Sequence, residues 1–274
     1  MEASYEIAHQ VQKTTNKEAI MKFTQFYSSS KGNLYIVTAN NGNRLLIECG
    51  VAWQKIQQAL NYNLTGITGC LLTHEHKDHS KAVKEVMQAG IDVYASEGTF
   101  DALEIQDRRA IEIQKNTLVK FKNGFQVLAF EANHDCAEPL GFIVRCDNEF
   151  LFFATDTSHI SQRFKVKFSI IAIECSYNQE SLERMVAEGQ VPEFLAARLL
   201  KSHMEQATTM RYLKEFCDLS RCREIHLLHM SGTNITHNMV RDRFEKRLFI
   251  KTVTIDSYSP VAGVEGRDDS RLSP

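Results

Sequence analysis

The chain has 274 residues, enough for one large domain or two small ones with a full core, and its 43% hydrophobic and 24% charged residues are ordinary for a soluble globular protein. A formal net charge of −2 excludes an overall basic field for nucleic acid, so any polyanion site has to be local. Seven cysteines, an odd number with no CxxC pair and mostly inside apolar runs, argue against a disulfide framework or a thiolate zinc site and suit free thiols in a reducing compartment.

Residues 1–20 are polar and read as an appended helix or arm. Met21 opens a strand-like run, Lys22 to Phe26, and Ser28-Ser29-Ser30-Lys31-Gly32-Asn33 is a turn by composition. The apolar runs Leu34–Thr38 and Arg44–Glu48 flank Asn40-Asn41-Gly42-Asn43, whose Asn-Gly step signals a hairpin. Ala52, Ile56, Ala59 and Leu60 recur at helical spacing. A short apolar strand ending at Leu72 follows, then a histidine-rich run, then a helix carrying Val83, Val86 and Met87 that Gly90 stops. Strands are expected at 91–95, 125–130, 141–146, 150–154, 170–173, 225–228 and 252–255. Helices are expected at 181–188, at 192–201 with Pro192 in the first turn, at 205–216 and near 238–247. From Ser257 to Pro274 the chain is polar with Gly and Pro and reads as a disordered tail. Sheets covered by helices, in the α/β class, are the expected architecture, with no internal repeat.

The chemistry concentrates in His74-Glu75-His76-Lys77-Asp78-His79. Leaving a strand, residues two apart point the same way, so His74 and His76 can meet one cation. A tight loop opening the next helix brings Asp78 and His79 to a second position. Four oxygen and nitrogen ligands in six residues, without thiolates, suit zinc or another borderline divalent ion. A charged, solvated loop is the competing reading, and direct emergence from a buried strand speaks against it.

This run resembles the HxHxDH signature of the metallo-β-lactamase superfamily, which implies an αββα four-layer sandwich. Glu48, in Ile47-Glu48-Cys49-Gly50, is similar to the first motif, a strand-end acid orienting the histidine loop; the superfamily usually has Asp there. The resemblance implies that His134 completes a first metal site with His74 and His76. It implies that Asp156 bridges two metals, and that His229 joins Asp78, His79 and Asp156 around the second. The segments Ser30-Lys31-Gly32-Asn33, Tyr94-Ala95-Ser96-Glu97, His134 to Pro139, Thr155-Asp156-Thr157, Glu174-Cys175-Ser176 and Ser202-His203 are similar to the YycJ-type single-domain nucleases. That likeness runs from about Met21 to the final strand. It implies a domain over 21–256, relatives that degrade DNA from the 5′ end, and tRNase Z as a more distant cousin.

His203 separates the hydrolases of this fold. It reads as opening a helix where tRNase Z-like phosphodiesterases carry an extra histidine, able to donate to a phosphate oxygen or protonate the leaving alkoxide beside a helix N-terminus. The alternative is a structural histidine at a helix cap formed by Ser202. The expected reaction is phosphodiester hydrolysis with two divalent ions, zinc or manganese, sharing Asp156 and a hydroxide that attacks phosphorus. In it Asp78 orients the nucleophile and His203 assists the leaving group. Ser30 and Asn33 are candidate phosphate contacts, with a plain turn as the simpler reading. Basic residues at 163–167 and 241–247 can form a backbone-tracking edge or solvated faces.

DNA is the expected substrate ahead of RNA. A cyclic nucleotide is the runner-up because the total charge is near neutral, and a thioesterase, a lactamase or a non-catalytic binding protein stands further back. Relatives of this fold are often dimers, so a homodimer is an option. No apolar run spans a bilayer and the first residues lack the regions of a signal peptide, so the cytoplasm is the expected location and no membrane partner is implied.

Overall fold

Alternating apolar positions build two sheets in a computed structural model that describes residues 21–230 and 237–255. The N-terminal extension (1–20) and the polar tail (257–274) lie outside the described residues. The first sheet is β1 (Lys22–Ser29), β2 (Gly32–Thr38), β3 (Arg44–Ile47), β4 (Ile67–Leu71), β5 (Val93–Ala95) and β6 (Ala110–Glu112), adjacent in that order. β1 to β3 pair antiparallel through tight turns, and β3 to β6 run parallel. Parallel neighbours need a crossover. Here α1 (Trp53–Ala59), α2 (Lys77–Ser80) with α3 (Val83–Gln88), and α4 (Glu97–Ala102) supply them in turn.

The second sheet comprises β7 (Leu118–Lys120), β8 (Phe125–Glu131), β9 (Leu140–Cys146), β10 (Glu149–Ala154), β11 (Ile170–Glu174), β12 (Glu224–Leu228) and β13 (Lys251–Val253), again adjacent in chain order. β7 to β10 are an antiparallel meander, and β10 to β13 run parallel. Between β11 and β12 lie α5 (Gln179–Ala187), α6 (Glu193–Ser202) and α7 (Gln206–Phe216); α8 (His237–Leu248) joins β12 to β13.

Period-two alternation sorts each strand into two cores. On β2, Leu34 and Ile36 pack with Ile56, Val83 and Val86 of the helices, while Tyr35 and Val37 face the other sheet. On β10, Phe150 and Phe152 pack with Met210, Leu213 and Phe244 of α7 and α8, while Leu151 and Phe153 face inward. Helix, sheet, sheet, helix is therefore the layer order, the αββα sandwich. Phe153 sits at its centre, fully buried, with ring centroids 5.2 Å from Tyr35 and 6.1 Å from Phe23; truncating such a ring costs roughly 3–5 kcal/mol.

Three local expectations differ from the structure. The turn over 28–33 shrinks to Ser30 and Lys31, because Ser28 and Ser29 are buried and extend β1. α4, β6 and β7 occupy a polar stretch whose pattern carries little apolar signal. Pro192 is the N-cap of α6 rather than its first helical residue. Gly90, at φ +88°, ends α3 as its position suggests. All seven cysteines are free, and no helix among the described residues is long and apolar enough to cross a membrane.

Candidate metal centre

The candidate ligands collect where strands of both sheets end. Glu48 follows β3, His74 and His76 follow β4, and Asp78 and His79 lie in α2. From the second sheet, His134 follows β8, Asp156 follows β10, Glu174 ends β11 and His229 follows β12. Glu48, Asp156 and His229 hold left-handed backbone at φ +66°, +46° and +50°. That conformation disfavours side chains with a Cβ, and it turns each residue sharply off its strand into the site. Gly50 lets the ligand loop lie against the end of β3: a Cβ there would stand 1.6 Å from the Asp78 carbonyl oxygen. Beside it the Cys49 amide donates to the His79 carbonyl at 2.8 Å.

His74, His76 and His134 form the first set. The Nδ1 of His76 lies 3.1 Å from His74 Nε2 and 3.3 Å from His134 Nε2. Nitrogens held about 2.0–2.1 Å from a tetrahedral zinc stand about 3.3 Å apart, so the spacing suits one ion. Outer partners settle the tautomers. His134 Nδ1 donates to the Ser202 carbonyl at 2.9 Å. Thr73 spends its hydroxyl proton on Glu48 at 2.6 Å and so accepts from His74 Nδ1 at 2.9 Å. Both rings thus turn an Nε2 lone pair toward the centre.

Asp78, His79, Asp156 and His229 form the second set. Asp156 stands between the two: its Oδ2 is 3.1 Å from His79 Nε2, 3.7 Å from His134 Nε2 and 3.9 Å from His74 Nε2. Its Oδ1 is 3.6 Å from His229 Nε2. Asp78 Oδ2 lies 3.5 Å from His79 and 3.8 Å from His229. Behind this set are carboxylates, Glu48 at 3.5 Å from His79 Nδ1 and Glu174 at 3.8 Å from His229 Nδ1.

Divalent ions fit these residues. His79 Nδ1 and both ring nitrogens of His229 are buried without a hydrogen-bond partner, which is costly unless something else satisfies them. Burial pushes the His74 imidazole well below its ordinary range and His134 down to about 4, so both offer neutral nitrogens. Burial also disfavours a charged His79, but the Asp156 and Glu48 carboxylates outweigh it and hold the ring well above its usual value. A cation would replace the proton that those carboxylates otherwise retain.

His203 joins the same place with Asp156, Glu174 and His229. It does not open a helix. It is the C-cap of α6, and Glu205 is the N-cap of α7, accepting from the Ala207 and Thr208 amides at 2.6 and 3.0 Å. The helix N-terminus is therefore spent on Glu205, and Ser202 is the last residue of α6 rather than a cap. What orients His203 is Glu174, whose Oε1 accepts from Nδ1 at 2.6 Å while Oε2 accepts from the Thr157 amide at 2.5 Å. Burial works against a charged His203, and the Glu174 carboxylate overcomes it, raising the ring to about 9. The ring lies parallel to His229 at 5.1 Å. Glu174 was not among the candidate ligands, although an acid ending the apolar run Ile170–Ile173 carries the same signal as Asp156.

The turn residues behave differently. Ser30 is exposed at the turn. Asn33 is buried and is a brace, its Nδ2 reaching the Ser29 and Asp78 carbonyls and His79 Nε2, each at 3.1 Å. Tyr35 donates to Asn33 Oδ1 at 3.0 Å and meets Ser28 Oγ at 2.7 Å; Ser28 in turn accepts from the His229 amide at 2.9 Å. This chain of bonds ties the loops bearing His79 and His229 to one hairpin. Buried hydroxyls and an amide on β1 and β2 were its only signal in the sequence.

Comparison with known proteins agrees with this geometry. The beta-lactamase superfamily domain matches residues 43–230, a span that contains every candidate ligand. The exodeoxyribonuclease YycJ of Bacillus anthracis is 30% identical over 153 residues, covering 53% of this chain and 58% of that protein. An anti-Pycsar protein Apyc1 of Bacillus phage 010DV004 is 40% identical over 62 residues, 23% of each chain. The chain thus spans little over half the length of the first relative and under a quarter of the second. Among solved structures, the metallo-beta-lactamase fold protein YhfI of Bacillus subtilis superposes with TM-score 0.67 at 15% identity, over 87% of this chain and 98% of that one. Human tRNase Z, short form, does so with TM-score 0.59 at 14% identity, over 86% and 97%. At such identities these two speak for the fold. With the matched span, the two sheets and the converging histidines and carboxylates together, the chain belongs to the metallo-β-lactamase hydrolases of the beta-lactamase superfamily.

Proposed function

We propose that the chain is a two-metal phosphodiesterase acting on nucleic acid, with DNA ahead of RNA. The observation that carries the reading is His203, pinned through Nδ1 by the buried Glu174 and stacked on His229 beside the second ligand set. With Nδ1 engaged, Nε2 is the atom left to meet a phosphate oxygen or pass a proton to the leaving alkoxide. A thiolate departs without a proton, so thioester hydrolysis gives this ring no leaving group to serve. Zinc or manganese ions held by His74, His76 and His134 and by Asp78, His79, Asp156 and His229 would acidify a water and neutralise charge on the phosphoryl oxygens. Asp156 lies between the two sets, Asp78 would accept a hydrogen bond from the nucleophile, and Glu48 keeps His79 and, through Thr73, His74 in place. The exodeoxyribonuclease relative supports DNA as the polymer.

The test is a substrate panel with manganese: 5′-phosphorylated duplex DNA, single strands, structured RNA, cyclic nucleotides and bis(p-nitrophenyl) phosphate. DNA should be degraded, and His203→Ala should lower kcat by about 10²–10⁴ while bound metal stays constant. Full activity of His203→Ala on DNA would remove the reason for preferring phosphodiesters. Turnover of cyclic nucleotides alone would move the assignment to a small phosphodiester, as the net charge of −2 would favour.

A further inference from the structure

The two basic runs part company in the fold. Arg163 stacks over Phe216 at 4.0 Å and Lys167 lies 3.9 Å from Asp218, so the first run is engaged at the far end of α7. The second run faces a groove between α7 and α8, together with cations of α7 itself: Arg211 and Lys214 from one wall, Arg243 and Arg247 from the other. Among the described residues, no carboxylate lies within ion-pair distance of Arg211, Lys214 or Arg247. Two acids line the groove, Glu205, which caps α7, and Glu215, against four cations.

The floor of the groove holds a buried donor. Gln206 is only 3% exposed; its Oε1 accepts from Arg243 Nη1 at 3.4 Å, and its Nε2 has no partner in the chain. A buried amide N–H left without an acceptor in the lining of a cationic groove calls for an oxygen acceptor. Met210 and Phe244, both buried, close the bottom of the groove. The groove begins at Glu205, two residues beyond His203, and from Gln206 to Lys214 it follows about 12 Å of helix. A cyclic mononucleotide held at the metals has no second phosphate to place in the groove.

We propose that this groove is a second anion subsite, holding the sugar–phosphate backbone of a nucleic acid strand whose scissile bond lies at the metal centre. The inference rests on the phosphodiesterase reading and deepens it, because it selects a polymer over a cyclic nucleotide. It also reconciles a near-neutral chain with a polyanionic substrate: the positive charge is local.

The experiment compares the full-length, manganese-loaded chain with the double variant K214E/R247E, both sites being exposed. Kd for a fluorescein-labelled 20-nucleotide single strand is read by anisotropy from 50 to 200 mM salt, before turnover. The expected result is at least a tenfold weaker Kd and a slope of log Kd against log salt shallower by about 1–2, at roughly 0.7 per lost phosphate contact. Gln206→Leu, which deletes the donor at similar volume, should weaken binding by a smaller factor. Wild-type affinity and slope in K214E/R247E overturn the groove. So does an equal loss in the matched reversal R163E/K167E, which would make the effect one of net charge. Hydrolysis of bis(p-nitrophenyl) phosphate by the wild type is measured alongside. If it is present, a failed groove leaves the phosphodiesterase reading standing; if wild type neither hydrolyses the diester nor binds the strand, both fall.

Discussion

The two ligand sets sit side by side but are supported in opposite ways. Behind His74 and His134 stand neutral acceptors, a threonine hydroxyl and the Ser202 carbonyl. Behind His79 and His229 stand the buried carboxylates Glu48 and Glu174. A carboxylate behind an imidazole makes it a more basic ligand and adds negative charge to the site. The first position is thus built by geometry and the second by charge, and a cation in the second gains more from the protein's own field.

Substitutions can break that comparison in graded steps. Asp156→Ala should have the largest effect, because Asp156 stands between both sets: metal content falls at both positions and hydrolysis drops below detection, read by elemental analysis and turnover together. Next, His134→Ala and His229→Ala should each lose one ion and keep the other. If either empties both positions, the sets are not separable units. Glu174→Gln then tests charge without removing a hydrogen-bonding group. It should weaken metal binding at the second position by about 10–100-fold, leave the first intact, and depress kcat by releasing His203. Thr73→Val is its counterpart, a smaller loss confined to the first position. Tyr35→Phe is the mildest, removing one hydroxyl from the brace for about 1 kcal/mol of stability, measured as a shift in the urea midpoint at unchanged slope.

Several candidate ligands were legible because they follow directly on an apolar strand, where a polar residue has few reasons to be except to face a site, and the others through the resemblance of the His74 to His79 run. Glu48 and Asp156 stood out on that ground, and Glu174 obeys it as well. Support was harder to read. Asn33, Tyr35 and Ser28 act through a bonded chain that exists only when β1 and β2 fold back beside two distant loops. The mistaken helix start at His203 has a local cause: Ser202 is a good cap residue by type, but Glu205 competes for the same amides and wins. Residues 97–120 were opaque because their short elements bury few apolar side chains.

Glu48 departs from the usual Asp and shows what the longer side chain does. At left-handed backbone it reaches Thr73 with Oε1 at 2.6 Å and still comes within 3.5 Å of His79. It thereby backs a histidine of each set, His79 directly and His74 through Thr73.

Each ligand set draws on both sheets, His74, His76, Asp78 and His79 from one and His134, Asp156 and His229 from the other. An ion held in either set is therefore a cross-link between the two halves of the sandwich. Opening the inter-sheet core would then require its release, and metal supply would set the lifetime of the fold as well as its chemistry. By mass action, free metal at a thousand times its Kd adds about 4 kcal/mol to the folded state. Chelation should accordingly show itself first as faster unfolding and easier proteolysis, before any change in secondary structure.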